Sequence, residues 1–357
     1  MPIQGFVRFR KHQFGRQSAW GNAEPATRAY PFSGVPSVNL NWIDPEGDFG
    51  SLFPIAAPYR GAPDLTANLN ASVVNYNDLP LMLAGVFGND EAPTGAGTGQ
   101  TWVWTPAALT ADPFDLFTYE FGDDVTTDWY QLTEGILTQL QFSGPEGLGP
   151  LTASMNWLFG AAASTGSTDS PVDGTVPTTG LTVDSAGIPV YLKDGTLFID
   201  SSAATIGNTQ ISDALHSFEM TITVEVDQKR FVNGTQSFDL SGYGRGSMLI
   251  ETALTFAKTA DTVGTGSESD AWFSDTAVDR FVRLSFESTA VAETGTPDIP
   301  YSFLIDLPMR YYTREEGESN GNTTIVLTGR SFYEAATLTN AGEFTVVNTL
   351  AATGIES

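Results

Sequence analysis

Phe218-Glu-Met-Thr-Ile-Thr-Val-Glu-Val226 is the stretch whose reading decides the fold. Phe218, Met220, Ile222 and Val224 alternate with Glu219, Thr221, Thr223 and Glu225. A period of two puts the first set on one face of a strand and the second on the other, so one face is built for a core and one for water. The same alternation runs through Leu151–Phe159, where Leu151, Ala153, Met155 and Trp157 oppose Thr152, Ser154 and Asn156. It returns in residues 65–72, with Leu65, Ala67, Leu69 and Ala71 opposite Thr66, Asn68 and Asn70, and in Ile136–Phe142, with Gln139 and Gln141 on the polar side.

Working outward, apolar runs at 38–43, 101–105, 116–121, 237–240, 281–286, 301–307, 323–332 and 344–347 read as further strands. The 36 Gly and 20 Pro supply turns between them. A hairpin is expected over Val190–Ile199, turning at Asp194-Gly195. Two short helices are expected. Leu81–Phe87 has Asn77 or Asp78 as a cap, Pro80 in its first turn and Gly88 to end it. Met248–Lys258 follows the Gly-Tyr-Gly-Arg-Gly run at 242–246, which reads as a backbone turn, lacking the Lys-Ser/Thr of a phosphate loop.

Both halves thus run strand, loop, strand, short helix and further strands, an order that implies a duplication. The expected organisation is an N-terminal arm at 1–37, a first β domain at 38–160, a linker at 161–187, a second β domain at 188–336 and a tail at 337–357. The class is mainly β: two tandem β-sandwich domains, each with a flanking helix.

Charge narrows the function. The chain has 16 basic and 42 acidic residues, a net charge of −26, and no Lys or Arg between Gly61 and Leu192. Nucleic-acid binding is driven by cations that displace phosphate counterions, and this chain does the reverse. Its acidity either keeps it soluble or presents a non-sticking surface to a polyanion. With no cysteine, disulfides and thiolate metal sites are excluded. The opening residues lack the apolar core of a signal peptide, no run has the length of a membrane helix, and a cytoplasmic origin without a membrane anchor is expected.

Catalysis is not expected. The two histidines, His12 and His216, sit in no acid–base or metal pattern. The carboxylate groups Asp44/Glu46/Asp48 and Asp123/Asp124/Asp128 offer oxygen ligands for calcium but lack EF-hand spacing, so no cofactor or metal is assigned. Paired carboxylates also raise a glycosidase, and surface Trp and Tyr with carboxylates raise a carbohydrate-binding or adhesive β-sandwich.

The polar faces suit another use. Thr66, Asn68, Asn70, Gln139, Gln141, Thr152, Ser154, Asn156, Glu219, Thr221, Thr223 and Glu225 carry hydroxyls, amides and carboxylates without a cation. Lining a water-filled channel, they would hold exchangeable water and repel phosphate. The arm interleaves Phe14, Trp20 and other aromatics with Arg8 and Arg10, as a strap over an acidic neighbour would. The loop 44–64, with Asp44, Glu46, Asp48, Phe49, Phe53, Tyr59 and Arg60, is too long for a turn and too apolar to be only solvated.

Three segments carry a family resemblance. Gln17-Ser-Ala-Trp-Gly-Asn-Ala23, followed by Ala26-Thr-Arg28 and Tyr30-Pro-Phe32, resembles the opening of siphophage major tail (tail tube) proteins. Lys193-Asp-Gly-Thr-Leu-Phe-Ile-Asp200 and Ser217-Phe-Glu-Met-Thr-Ile222 are similar to the start of that family's later sheet. The resemblance implies tail-tube-type β-sandwiches whose strands join an oligomeric β-barrel, in stacked homo-oligomeric rings through which DNA passes as a non-adhering cargo. It implies a trimer of doubled subunits with pseudo-sixfold symmetry over a hexamer, contacts with a tape measure protein and a tail terminator, and residence in the virion tail after synthesis in the bacterial host. Loop 44–64 would be an inter-ring contact, and the arm and tail would brace neighbours. The matching loop of the second half, Asp227–Gln236, is much shorter.

Overall fold

The computed structural model describes residues 10–351 apart from 22, 40, 44–58, 89–92, 96, 107–114, 124–128, 148, 163–180, 184–186, 212–214, 230–241, 259–278, 296 and 320. The first half contains β1 (Arg10–Arg16), β2 (Arg28–Tyr30), β3 (Ser33–Asn39), β4 (Trp42–Ile43), β5 (Tyr59–Arg60), β6 (Asp64–Ala71), α1 (Leu79–Phe87), β7 (Gln100–Trp104), β8 (Phe117–Asp123), β9 (Trp129–Gly144), β10 (Thr152–Phe159) and β11 (Ala161–Ala162). The second contains β12 (Gly195–Asp200), β13 (Gln210–Ile211), β14 (Leu215–Lys229), β15 (Gly242–Ala257), β16 (Arg280–Glu293), β17 (Ile299–Ser319), β18 (Asn322–Ser331) and β19 (Glu343–Asn348). The protein is mainly β. All the strands but β4 and β5 join one large antiparallel sheet that does not close on itself.

The pairing repeats between the halves. In the first, β1 pairs with β2 and β8, β3 with β6, β6 with β10, and β9 with β8, β10 and β11. In the second, β12 pairs with β13 and β16, β14 with β15, β15 with β18, and β17 with β16, β18 and β19. The correspondence keeps chain order and extends to irregularities. Thr138 is the unpaired residue between Gln139↔Asn156 and Leu137↔Trp157, and Tyr312 is the unpaired residue between Thr313↔Thr328 and Tyr311↔Gly329. Likewise Asn39↔Asp64 followed by Trp42↔Arg60 matches Thr223↔Leu249 followed by Val226↔Arg245. Two ladders join the halves: β9 to β14, and β7 to β19, which also pairs with β17.

One face of the sheet is the core. Leu65, Leu69, Met155, Trp157, Leu140, Phe142, Met220, Ile222, Ile250 and Leu254 are all buried on it. β1 and β8 fold over the first part, with Phe14 5.0 Å from Trp157 and Tyr119 5.5 Å from Phe159. β16 and the first part of β17 cover the second, with Phe286 5.6 Å from Phe218 and Phe303 5.8 Å from Phe142. The helix α1 fills the space between and is buried on every side. A Cβ at Gly85 would lie 2.8 Å from the Trp157 ring, so this turn of helix approaches as only glycine permits. Asp78 holds the N-cap position without a capping bond; its carboxylate accepts from Arg28 at 3.1 Å and Asn75 at 2.8 Å.

Several expectations are corrected. Met248–Lys258 is no helix but part of β15, because Ile250, Thr252, Leu254 and Phe256 alternate inward at period two. The Gly-rich run at 242–246 opens that strand rather than a turn. The 190–199 hairpin is absent: Gly195 has extended φ of −85°, and β12 pairs with β13 and β16, while Val190 is drawn into the core. Much of the arm is sheet: β1 and β2 pair with each other and β3 pairs with β6, since Phe14, Tyr30 and Phe32 fill this chain's own core. At the start of the linker, Ala161–Ala162 pairs with β9. The strand expected at 344–347 does form, as β19, with Phe344 and Val346 buried between β7 and β17. The 237–240 strand lies outside the described residues.

Candidate functional site: an open polar sheet face

The face opposite the core is covered by no other element among the described residues, and it gathers the polar residues of eight strands. Register places Asn70, Ser154, Gln141, Thr221 and Glu251 in one row across β6, β10, β9, β14 and β15. Asn68, Asn156, Gln139 and Thr223 form the next row, and Thr152, Ser143 and Glu219 another. Thr66 extends the set on β6, opposite Ser37. Glu225 lies further along β14, where its Oε2 accepts from the Ser247 amide at 3.3 Å and hydroxyl at 3.2 Å. All twelve residues singled out for a polar lining therefore share one surface.

Side chains are stitched laterally. Asn156 Nδ2 donates to Gln139 Oε1 at 2.6 Å, and Ser154 Oγ donates to Gln141 Oε1 at 3.2 Å. Each amide or hydroxyl keeps further donor or acceptor capacity for water. A shallow depression lined by Asn70, Gln141, Ser143, Thr152, Ser154 and Glu219 lies in the middle of this face.

Sequence reasoning missed the flanks. Ser33, Val35 and Ser37 of β3 belong to the face, but Pro36 hid that strand inside the supposed arm. Glu251 and Thr328 were hidden by the false helix and by an unread pairing. The inner alternation of Ile250, Thr252, Leu254 and Phe256 was the signal that would have found β15. Cations are also present: Arg330 stands opposite Glu251 and donates to it at 2.7 Å, and Arg310 donates to Asp279 at 3.0 Å. The central strands β6, β10 and β9 carry none.

The contact candidates scatter. Phe14 is withdrawn into the chain's own core and is no strap. Arg10 is exposed, 5.6 Å above the Phe121 ring. Trp20 is partly exposed and meets Tyr243 edge-on at 5.4 Å. Tyr59 and Arg60 form β5, paired with β4, whose Trp42 is 59% exposed. Arg8, Asp44, Glu46, Asp48, Phe49 and Phe53 lie outside the described residues, as do Asp124 and Asp128 of the second carboxylate group.

Two buried titratable groups with perturbed pKa values, His12 and Glu120, lie in the β1–β8 layer away from this face, whereas on the face the hydrogen bond to Glu251 raises the pKa of Arg330. His12 is buried with Nδ1 2.8 Å from the Tyr119 hydroxyl, and burial, with Arg10 nearby, lowers its pKa to about 4. Glu120 is buried and its pKa raised by desolvation, although the Ala26 amide, Gln13 and Gln131 all donate to it. These groups tie β1 to β8 and β9. His216 lies 2.9 Å from Glu146 at a partly exposed turn.

No protein-family model matches the chain, and no curated protein matches it. Among solved structures it is similar to the SPP1 tail tube determined by solid-state NMR and cryo EM. Identity is 13%, the match covers 43% of this chain and 77% of that one, and the TM-score is 0.26. At that level the likeness decides neither fold nor role. No helix among the described residues is long and apolar enough to cross a membrane.

Proposed function

We propose that this chain is a subunit of a hollow homo-oligomeric assembly, a phage tail tube, in which the open polar face lines a passage for DNA. What supports this is the registered face itself: mostly hydroxyl, amide and carboxylate side chains from β3 to β18, interrupted by Val35, Leu249, Ala253 and Val326, on a sheet with one side packed and one side wet. Such a wall orders water without holding phosphate. Its carboxylates repel a polyanion, and Arg330 is neutralised by Glu251. The chain's role is mechanical and electrostatic, without catalysis.

Eight strands, four from each half, carry the face: β3, β6, β10, β9, β14, β15, β18 and the second part of β17. Three chains in a ring would bring these to a closed barrel. With strands about 4.8 Å apart and tilted by roughly 40°, its backbone diameter would be on the order of 45–50 Å, wide enough for a hydrated duplex. Tape measure and terminator proteins are the partners such a tube would need.

Negative-stain microscopy of the purified protein tests the reading. Rings or tubes with a central hole are expected. Dispersed monomers at all concentrations, or solid fibres, would refute it.

A further inference from the structure

The joint between the two halves points to the joint between two copies. Eight strands of the first half, β1, β2, β3, β6, β8, β9, β10 and β11, repeat in order as β12 to β19, and the halves meet where the second part of β9 pairs with β14 in the register Gln139↔Thr223, Gln141↔Thr221 and Ser143↔Glu219. The equivalent of β9 in the second half is β17, aligned by the bulges at Thr138 and Tyr312. The equivalent of β14 in the first half is β3, aligned by the ladders Asn39↔Asp64 and Thr223↔Leu249. Among the described residues, β3 is paired on one side only, by β6, and β17 beyond Tyr311 is paired on one side only, by β18. Among the described residues the sheet thus ends in two open edges that are the counterparts of the two strands joined at its centre.

We infer that β3 of one copy pairs antiparallel with the second part of β17 of the next, in the register Thr313↔Asn39, Glu315↔Ser37 and Gly317↔Val35. This is the β9–β14 ladder with each strand replaced by its counterpart. The pairing rests on the tube reading and supplies its missing contact. It is head-to-tail, because each copy offers one edge of each kind, and such contacts close into rings when the rotation allows. It keeps the polar face continuous: Ser37 and Asn39 lie on the same side as Asn68 and Asn70, and Thr313 and Glu315 on the side of Thr328. It is also electrostatically permitted, since the acidic strand with Glu315, Glu316 and Glu318 meets a β3 that carries no charge. Pro36 withholds at most one hydrogen bond from the new ladder and disfavours indiscriminate edge pairing.

The same superposition sets the backbone pair Trp42↔Arg60 of β4–β5 in the place of Val226↔Arg245 of β14–β15. The ribbon β4–β5 would then lie over the neighbouring copy as the start of β15 lies over the first half, where Tyr243 donates to the Glu134 carbonyl at 2.7 Å and Arg245 to that of Phe87 at 3.3 Å.

The natural chain has no cysteine, so engineered thiols report the register without background. Thr313→Cys and Asn39→Cys chains are mixed, assembled, checked for rings by microscopy and oxidised. Glu315→Cys with Ser37→Cys serves as a second pair, in case the loss of Asn39 disturbs folding. Opposed strand positions fall within disulfide reach. Covalent dimers should form in each mixture at least about tenfold faster than in a slipped mixture of Thr313→Cys with Val35→Cys, and not in either variant alone. Rings that give no dimer in either matched pair, or dimers from one variant alone, would overturn the pairing while leaving the tube. Failure of every variant and of the natural chain to form rings would overturn both.

Discussion

Glu251 and Arg330 face each other across the β15–β18 ladder, 2.7 Å apart, on the open polar face. Tyr312, the bulged residue of β17, completes the group: its hydroxyl donates to Glu251 at 3.1 Å and its ring lies 5.0 Å beneath the guanidinium. Arg330 on this face is thus held by a carboxylate and an aromatic ring, as the proposed non-adhering wall requires. Replacing Glu251 with Gln should free Arg330 as an anchor. We expect assembled Glu251→Gln particles to retain short duplex DNA at low salt where the natural assembly does not, with retention abolished by added salt. Equal, negligible retention by both would remove the neutralising role.

Reversing charge along the same face should act likewise. Glu219→Lys with Thr223→Lys places two cations in the rows on either side of Thr221, on exposed positions of β14. Assembly and thermal stability should be unchanged, surface substitutions costing roughly 0.5 kcal/mol or less. DNA retention should rise, and its salt dependence should steepen with the added cations.

The two sides of one strand should respond differently. Trp157 is 1% exposed, packed against Phe14 and Gly85, whereas its neighbour Asn156 is exposed. Trp157→Ala should cost about 3–5 kcal/mol in chemical denaturation, whereas Asn156→Ser should cost under about 1 kcal/mol.

Asn348 locks the end of the sheet between the halves. It is fully buried, its Oδ1 accepting from the Trp102 indole at 3.1 Å and its Nδ2 donating to the Tyr76 carbonyl at 2.9 Å. Asn348→Leu strands both of these buried partners, and also the part-buried Leu350 amide, which donates to Oδ1 at 3.0 Å. A loss of about 2–5 kcal/mol is expected from two unsatisfied buried groups, read as a lowered denaturant midpoint.

His12 gives the fold a pH dependence of defined sign. Its native pKa of about 4 lies below the ordinary histidine value of 6.5, so the unfolded chain binds the proton more tightly. The stabilisation is complete above the unfolded value and is lost as pH falls towards 4. Between pH 7 and pH 4 the natural chain should lose about 3 kcal/mol relative to His12→Asn, measured by denaturation at each pH. Glu120 carries the opposite sign. Its raised pKa favours the fold at low pH, and that contribution fades as pH rises through the native value.

Legibility in the sequence followed local physics. Strands with one wet and one dry face announced themselves by period two, as in Phe218–Val226, and α1 by its proline and glycine punctuation. The polar face was legible because each strand carried its share separately; which strands adjoin was not, since pairing between Gln141 and Thr221 leaves no local mark. β3 was lost because Pro36 reads as a breaker, although edge strands tolerate it. β15 was lost because its first residues are glycine-rich and its apolar run mimics a helix. The repeat was visible only as element order, because it is conserved in ladders and bulges rather than in residues.

The central claim is that this polar face looks inward. The most direct measurement is a cryo-EM reconstruction of the assembled particle at side-chain resolution. A closed ring whose hole is lined by Asn68, Asn70, Gln141, Ser154, Thr221 and Glu219 is the predicted result. A particle with no hole, or one that turns these residues to the outside, would contradict it.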